Sequence, residues 1–165
     1  MVDVGLFVAR IVFGLMIAAH GAQKLFGWFG GYGLAAVTGY FETLGFKPGR
    51  PFAFVAAASE VIGGLLVALG LFGPIGPALM LAVMIVAAFS VHWANGLFAT
   101  ANGIELPLLY ATAAVTLTLT GFGAHSLDAL LGFSSLSAPP VAWGALVVGI
   151  VGGLVNLAIR RPVTV

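Results

Sequence analysis

Five apolar runs, each about as long as a bilayer core is thick, succeed one another along this chain and leave it few possible folds. At about 1.5 Å rise per residue, roughly 20 apolar residues cross a hydrocarbon core of about 30 Å as a helix. The runs occupy approximately residues 5–26, 51–72, 74–93, 104–122 and 141–159. A transmembrane barrel would alternate apolar and polar residues in shorter segments, and these runs are continuous. Only 7% of the residues are charged, against about 25% in soluble domains, too few to cover a water-exposed surface. The class is an all-α polytopic membrane protein, with no internal repeat.

Between the first two runs, residues 28–50 are mixed. Leu34, Val37, Phe41 and Leu44 recur at helical spacing, with Thr38 and Glu42 between them. This pattern predicts a short amphipathic helix in the interface. Trp28, Tyr32 and Tyr40 suit the headgroup level. Residues 123–140 form the other polar link.

Lys and Arg are sorted by side. With five spans, Lys24, Lys47, Arg50, Arg160 and Arg161 share one side, and Asp3, His125 and Asp128 fall on the other. The positive-inside rule then puts the N-terminus outside and the C-terminus in the cytoplasm. The N-terminus has no basic stretch before its apolar run, so the first span is expected to be retained rather than cleaved. A net charge of +1 with no basic run makes nucleic acid an unsuitable partner. The absence of cysteine excludes thiolate catalysis and Fe–S ligation by this chain.

The ionisable residues inside the spans are the candidates for function, because such groups are costly in a bilayer. They are Arg10, His20, Glu60, His92 and Glu105, with Gln23 and Lys24 at the end of the first span. His20 and Lys24 are four apart and share a helical stripe. His20, His92 and Glu105 are expected at similar depth on the inner side, and Arg10 is expected to pair with Glu60. Each also has a structural use. Arg10 with Glu60 can fix register; His20 and Lys24 can anchor a helix end; His92 can sit with Trp93 at the interface. Glu105, three residues after Asn102, fits a capping box. Glu105, Thr112, Thr116 and Thr120 predict a polar seam on the fourth span, and Gly149 and Gly153 form a GxxxG on the fifth. His20, Glu60, His92 and Glu105 are metal-ligand types, but no E-x-x-H occurs and neither metal nor haem is expected.

The string R-(x)9-H-G-x-Q-K-L-F-G-W-F-G-G from Arg10 to Gly31 resembles the DoxX family of small bacterial membrane proteins. The similarity continues through Gly45-Phe46-x-Pro48, Glu60-x-x-Gly63-Gly64, Leu69-Gly70-Leu71, Met84 to His92 and Gly103-x-Glu105, covering approximately residues 5–122. The resemblance implies a four-helix unit over residues 1–122, leaving 123–140 as an extracytoplasmic linker. Residues 141–165 are then an added transmembrane helix with a basic cytoplasmic tail. It also implies a bacterial inner-membrane location. The family takes its name from a membrane subunit of a thiosulfate:quinone oxidoreductase, and other members are associated with redox-stress complexes.

The expected function is therefore a membrane subunit of a redox complex, a quinone-linked oxidoreductase, binding a quinone near the cytoplasmic side. His20, His92, Glu105 and Lys24 would carry the chemistry, relaying protons and stabilising charge. Arg10, Glu60, Gln23, Phe26 and Trp28 would hold the molecule. No Fe–S or nucleotide motif is present, so electrons must come from a partner or a small reductant. The alternative is a non-catalytic anchor that docks a partner subunit, or a second copy, through the Gly-rich fifth helix. A lipid-binding or transport role ranks third.

Overall fold

The computed structural model describes residues 1–161. The basic tail expected at the C-terminus extends through Pro162 to Val165, which lie outside the described residues. Among the described residues, seven α-helices run in order: α1 (Val2–Phe26), α2 (Gly33–Thr43), α3 (Gly49–Leu69), α4 (Ile75–Ala87), α5 (Glu105–Thr120), α6 (Leu127–Leu131) and α7 (Pro139–Ala158). Among the described residues, four stretches are long and apolar enough to cross a membrane: α1, α3, α4 with its continuation to Asn95, and α7. This is the polytopic helical class that the apolar runs require.

The expected fourth span is the short one. α5 has 16 residues, about 24 Å at the α-helical rise. Gly121 stops it, with φ 71°, and Phe122 is buried just beyond. The expected polar seam on α5 does not form. Thr112, Thr116 and Thr120 are exposed on the bundle exterior, and the hydroxyls of Thr112 and Thr120 donate back to the carbonyls of Leu108 and Thr116. A threonine in an apolar helix can satisfy its hydroxyl four residues back, so threonine spacing alone does not mark an interface. Thr118, on the other side, is the buried one.

Small residues set the packing. Gly14 on α1 lies against α3 so closely that a methyl there would sit 2.5 Å from the Ala68 nitrogen, and one on Gly64 would sit 2.5 Å from the Gly14 oxygen. Close backbone approach is what small residues allow between membrane helices, where van der Waals contact drives association. Gly21 meets Ala57 further along, so α1 and α3 are antiparallel. Gly149 faces Ala78, and Gly153 faces Ala82 and Ile85. The equal offset makes α4 and α7 parallel. The GxxxG of α7 is therefore packed inside the bundle, one of the two uses open to that face, the other being contact with another protein. What α7 turns outward is a plain apolar face that includes Trp143, Val148 and Leu154.

The ends are tied by polar contacts. At one end, the Arg161 N–H donates to the Gly45 oxygen at 2.9 Å, which brings the end of α7 beside the α2–α3 turn with Lys47 and Arg50. At the other, Asp3 accepts from the Ala124 N–H at 2.8 Å. The link expected over 123–140 is ordered there. Ser126 caps α6 by accepting from the Ala129 N–H. Buried Asp128 accepts from the N–H groups of Phe72 and Gly73 at 2.8 and 2.6 Å, holding the α3–α4 turn.

Candidate functional site

At the basic end, α1, α2, α3, α4 and α7 surround a cavity of about 660 Å³. α2 supplies Val37, Tyr40 and Phe41 to one wall, and α4 supplies Ala82, Val83 and Val86 to another. α2 buries none of its own residues, as suits an interfacial helix lying over a groove. Gly27, in the left-handed region at φ 73°, ends α1 and donates its N–H to the Gln23 oxygen, freeing the chain to turn into α2. α4 does not end cleanly. Ala88–His92 form a π-helical turn, a distortion that often accompanies functional sites. Ser90, Val91 and His92 from this turn all line the cavity.

Of the residues singled out in the sequence, His20, Gln23, Lys24 and His92 share this cavity. The two histidines, on separate spans, both line it. Lys24, 29% exposed, donates to Glu60 Oε1 at 2.5 Å. Glu60, 2% exposed, lies behind the cavity wall, and its Oε2 has no hydrogen-bond partner among the described residues. Lys24 joins the cavity to this buried carboxylate.

The remaining candidates are placed elsewhere. Arg10 does not pair with Glu60 and does not reach the cavity. It is fully buried near the opposite end, donating from Nη1 to the Ala68 oxygen at 3.1 Å and from Nη2 to the His125 oxygen at 2.5 Å. Its guanidinium carbon lies 5.6 and 5.7 Å from the ring centroids of Phe7 and Phe122, within reach of cation–π attraction. Lys24 takes the carboxylate instead because it shares Glu60's end of the bundle. Gly70, with φ 65°, packs its Cα against the Arg10 guanidinium so tightly that a side chain there would collide with it.

Glu105 also stands apart. Its Oε2 accepts from the Ala99 N–H at 2.7 Å, closing the loop before α5. Asn102 is not its capping partner: Asn102 is left-handed at φ 61°, and its carbonyl accepts from the rings and amides of His92 and Asn95. Phe26 and Trp28 are 56% and 59% exposed and face outward, 4.9 Å apart at their centroids. They suit the interfacial belt and do not line the cavity. Among the described residues, no group of three or more His, Asp or Glu side chains is placed to hold a metal ion.

Sequence reading missed Ser59, Ser90 and Asn156 as site residues and gave Tyr32 and Tyr40 only to the headgroup level, yet all five are on the cavity wall. Asn156 had the clearest signal, as an amide inside the fifth apolar run. Ser90 had none, because the π-helical turn that aims it has no local sequence mark.

The family model for DoxX matches residues 5–93, from α1 to the end of the π-helical turn. A protein of Haemophilus influenzae described as uncharacterized is 33% identical over 122 residues, covering 72% of this chain and 84% of that protein. No solved structure matches.

Proposed function

This chain belongs to the DoxX family, a membrane family often associated with oxidoreductase-related roles, and from that premise we propose that it is the membrane subunit of a redox complex whose cavity binds a quinone or a similar lipophilic molecule. The observation that carries this is the cavity itself. It has a mostly apolar wall, it is within the usual size of small-molecule sites, and His20, Lys24 and His92 converge on it.

Its electrostatics favour a neutral ligand. The only ammonium on the wall, among the described residues, is already matched by Glu60. An anionic sulfur compound or a phosphate would have to compete with that carboxylate. A neutral ring with polar oxygens meets no such competition. His20 and His92 supply imidazoles for proton exchange. Lys24, backed by Glu60, can steady a negative charge that develops on the ligand. The electron donor would belong to a partner protein or be a small reductant.

Lys24, Lys47, Arg50, Arg160 and Arg161 lie towards the cavity's end. We place that end in the cytoplasm by the positive-inside rule, in a bacterial inner membrane with the N-terminus outside.

Native mass spectrometry of the protein extracted gently from its own membrane tests this reading. A stoichiometric mass matching an isoprenoid quinone, lost on His20→Ala, is the expected result. A tightly held partner chain with no small molecule in the wild type would instead make this an anchor subunit.

A further inference from the structure

Five polar side chains on the cavity wall share a habit: each commits a donor to a backbone carbonyl. His20 Nδ1 bonds the Met16 oxygen at 3.2 Å, and His92 Nδ1 bonds the Asn102 oxygen at 2.8 Å. Gln23 Nε2 donates to the Phe29 oxygen at 3.1 Å, and Asn156 Nδ2 to the Gly152 oxygen at 2.9 Å. Ser90 Oγ donates to the Val86 oxygen at 2.6 Å. A carbonyl oxygen only accepts, so the side chain must be the donor in every one of these contacts. In the neutral imidazole this puts the proton of both histidines on Nδ1 and leaves the lone pair on Nε2. It also settles which end of each amide meets the backbone.

The groups left over are therefore mainly acceptors: two imidazole Nε2 atoms, the amide oxygens of Gln23 and Asn156, and the Ser90 oxygen. Each amide keeps one further N–H, and the Tyr32, Tyr40 and Ser59 hydroxyls serve either way. Lys24 is the charged donor on this wall, and one of its N–H groups is spent on Glu60. In an apolar-walled cavity, a ligand oxygen facing an acceptor loses its water and gains nothing.

We infer that this cavity selects its ligand by hydrogen-bond polarity, taking the dihydroxy hydroquinone form in preference to the dicarbonyl quinone form. The inference rests on the reading that a quinone-like molecule occupies the cavity. Quinone oxygens only accept, so they can use only Lys24, the one remaining N–H of each amide and the free hydroxyls, and leave the lone pairs on the wall unmatched. The two O–H groups of a hydroquinone donate to the acceptors that line the wall, and its oxygens still accept from Lys24.

The experiment is calorimetric titration of the full chain in lipid nanodiscs. The probes are a decyl-substituted 1,4-benzoquinone and, under anaerobic conditions, the same molecule reduced to its hydroquinone. The hydroquinone is expected to bind about tenfold more tightly, the worth of one or two net hydrogen bonds. Ser90→Ala removes one acceptor with little change of shape and keeps the comparison in a folded protein. It should weaken the hydroquinone about threefold and leave the quinone within about twofold. His20→Leu should do the same more strongly. Equal or tighter quinone binding overturns the selection by polarity while leaving the cavity reading standing. So does a Ser90→Ala that weakens both forms alike. Failure of both forms to bind the wild type overturns both inferences together.

Discussion

Lys24 and Glu60 decide between two accounts of the buried charge in this bundle. Sequence spacing paired Glu60 with Arg10; the folded chain pairs it with Lys24 and gives Arg10 to two backbone carbonyls. Breaking a buried pair by removing one partner costs about 3–5 kcal/mol, because a charge is left uncompensated. Lys24→Met should therefore lower stability markedly, with Glu60→Gln in the same chain restoring much of it. Thermal unfolding in detergent measures both. Equal destabilisation of Lys24→Met and the double variant would argue that the pair contributes nothing specific. The ionisable residues were legible as a set, since charge inside an apolar run is conspicuous. Their partners were not legible. Pairing depends on which helix ends meet, and a side chain as long as arginine or lysine reaches several candidate positions at similar cost.

Helices pack here through glycines, so the element scale is where small substitutions should act most strongly. A side chain on Gly64 would meet Gly14 and Ala18 backbone atoms, which cannot rotate away as a flexible side chain can. Gly64→Leu is expected to separate α1 from α3 and to cost well above the roughly 1–3 kcal/mol of ordinary overpacking. Loss of the folded species on size-exclusion chromatography checks it. Gly153→Leu tests the α4–α7 contact separately. A side chain there meets Ile85 and the Ala82 oxygen, and limited proteolysis should show α7 released while α1–α5 stay resistant. Retained protection would mean that α7 docks by other contacts. The Gly149/Gly153 motif was visible in the sequence, and its partner was not, because GxxxG marks a face for close approach without naming what approaches. The same limit made the threonines of α5 look like a seam. The π-helical turn at Ala88–His92 is the element that reading by helical period could not supply, since it breaks that period at the place where Ser90 and His92 join the cavity.

Across the whole molecule, basic residues gather at one end with the cavity, and Asp3 and Asp128 secure the other. If the basic end is cytoplasmic, the native absence of cysteine makes the orientation directly measurable. Ser137→Cys should react with a membrane-impermeant maleimide in intact cells, and Lys47→Cys only after permeabilisation. The reverse pattern would invert the proposed topology and move the cavity to the outer leaflet. Helix α7 completes the cavity wall through Asn156, so it is part of the site as well as of the bundle.

The sequence by itself determined that this chain is a helical membrane protein. Bilayer thickness sets the length of an apolar run, and the cost of buried charge sets how rarely it is interrupted. Both are properties of local composition. It also marked four of the residues that share the cavity, because His20, Gln23, Lys24 and His92 lie near the polar ends of their spans. Only the tertiary structure decided that Arg10, Glu105, Phe26 and Trp28 lie outside the cavity, that Lys24 rather than Arg10 meets Glu60, and that α7 turns Gly149 and Gly153 inward. Those outcomes depend on the rotation and offset of one helix against another. Backbone contact at glycines sets them, and hydrophobic periodicity leaves them open.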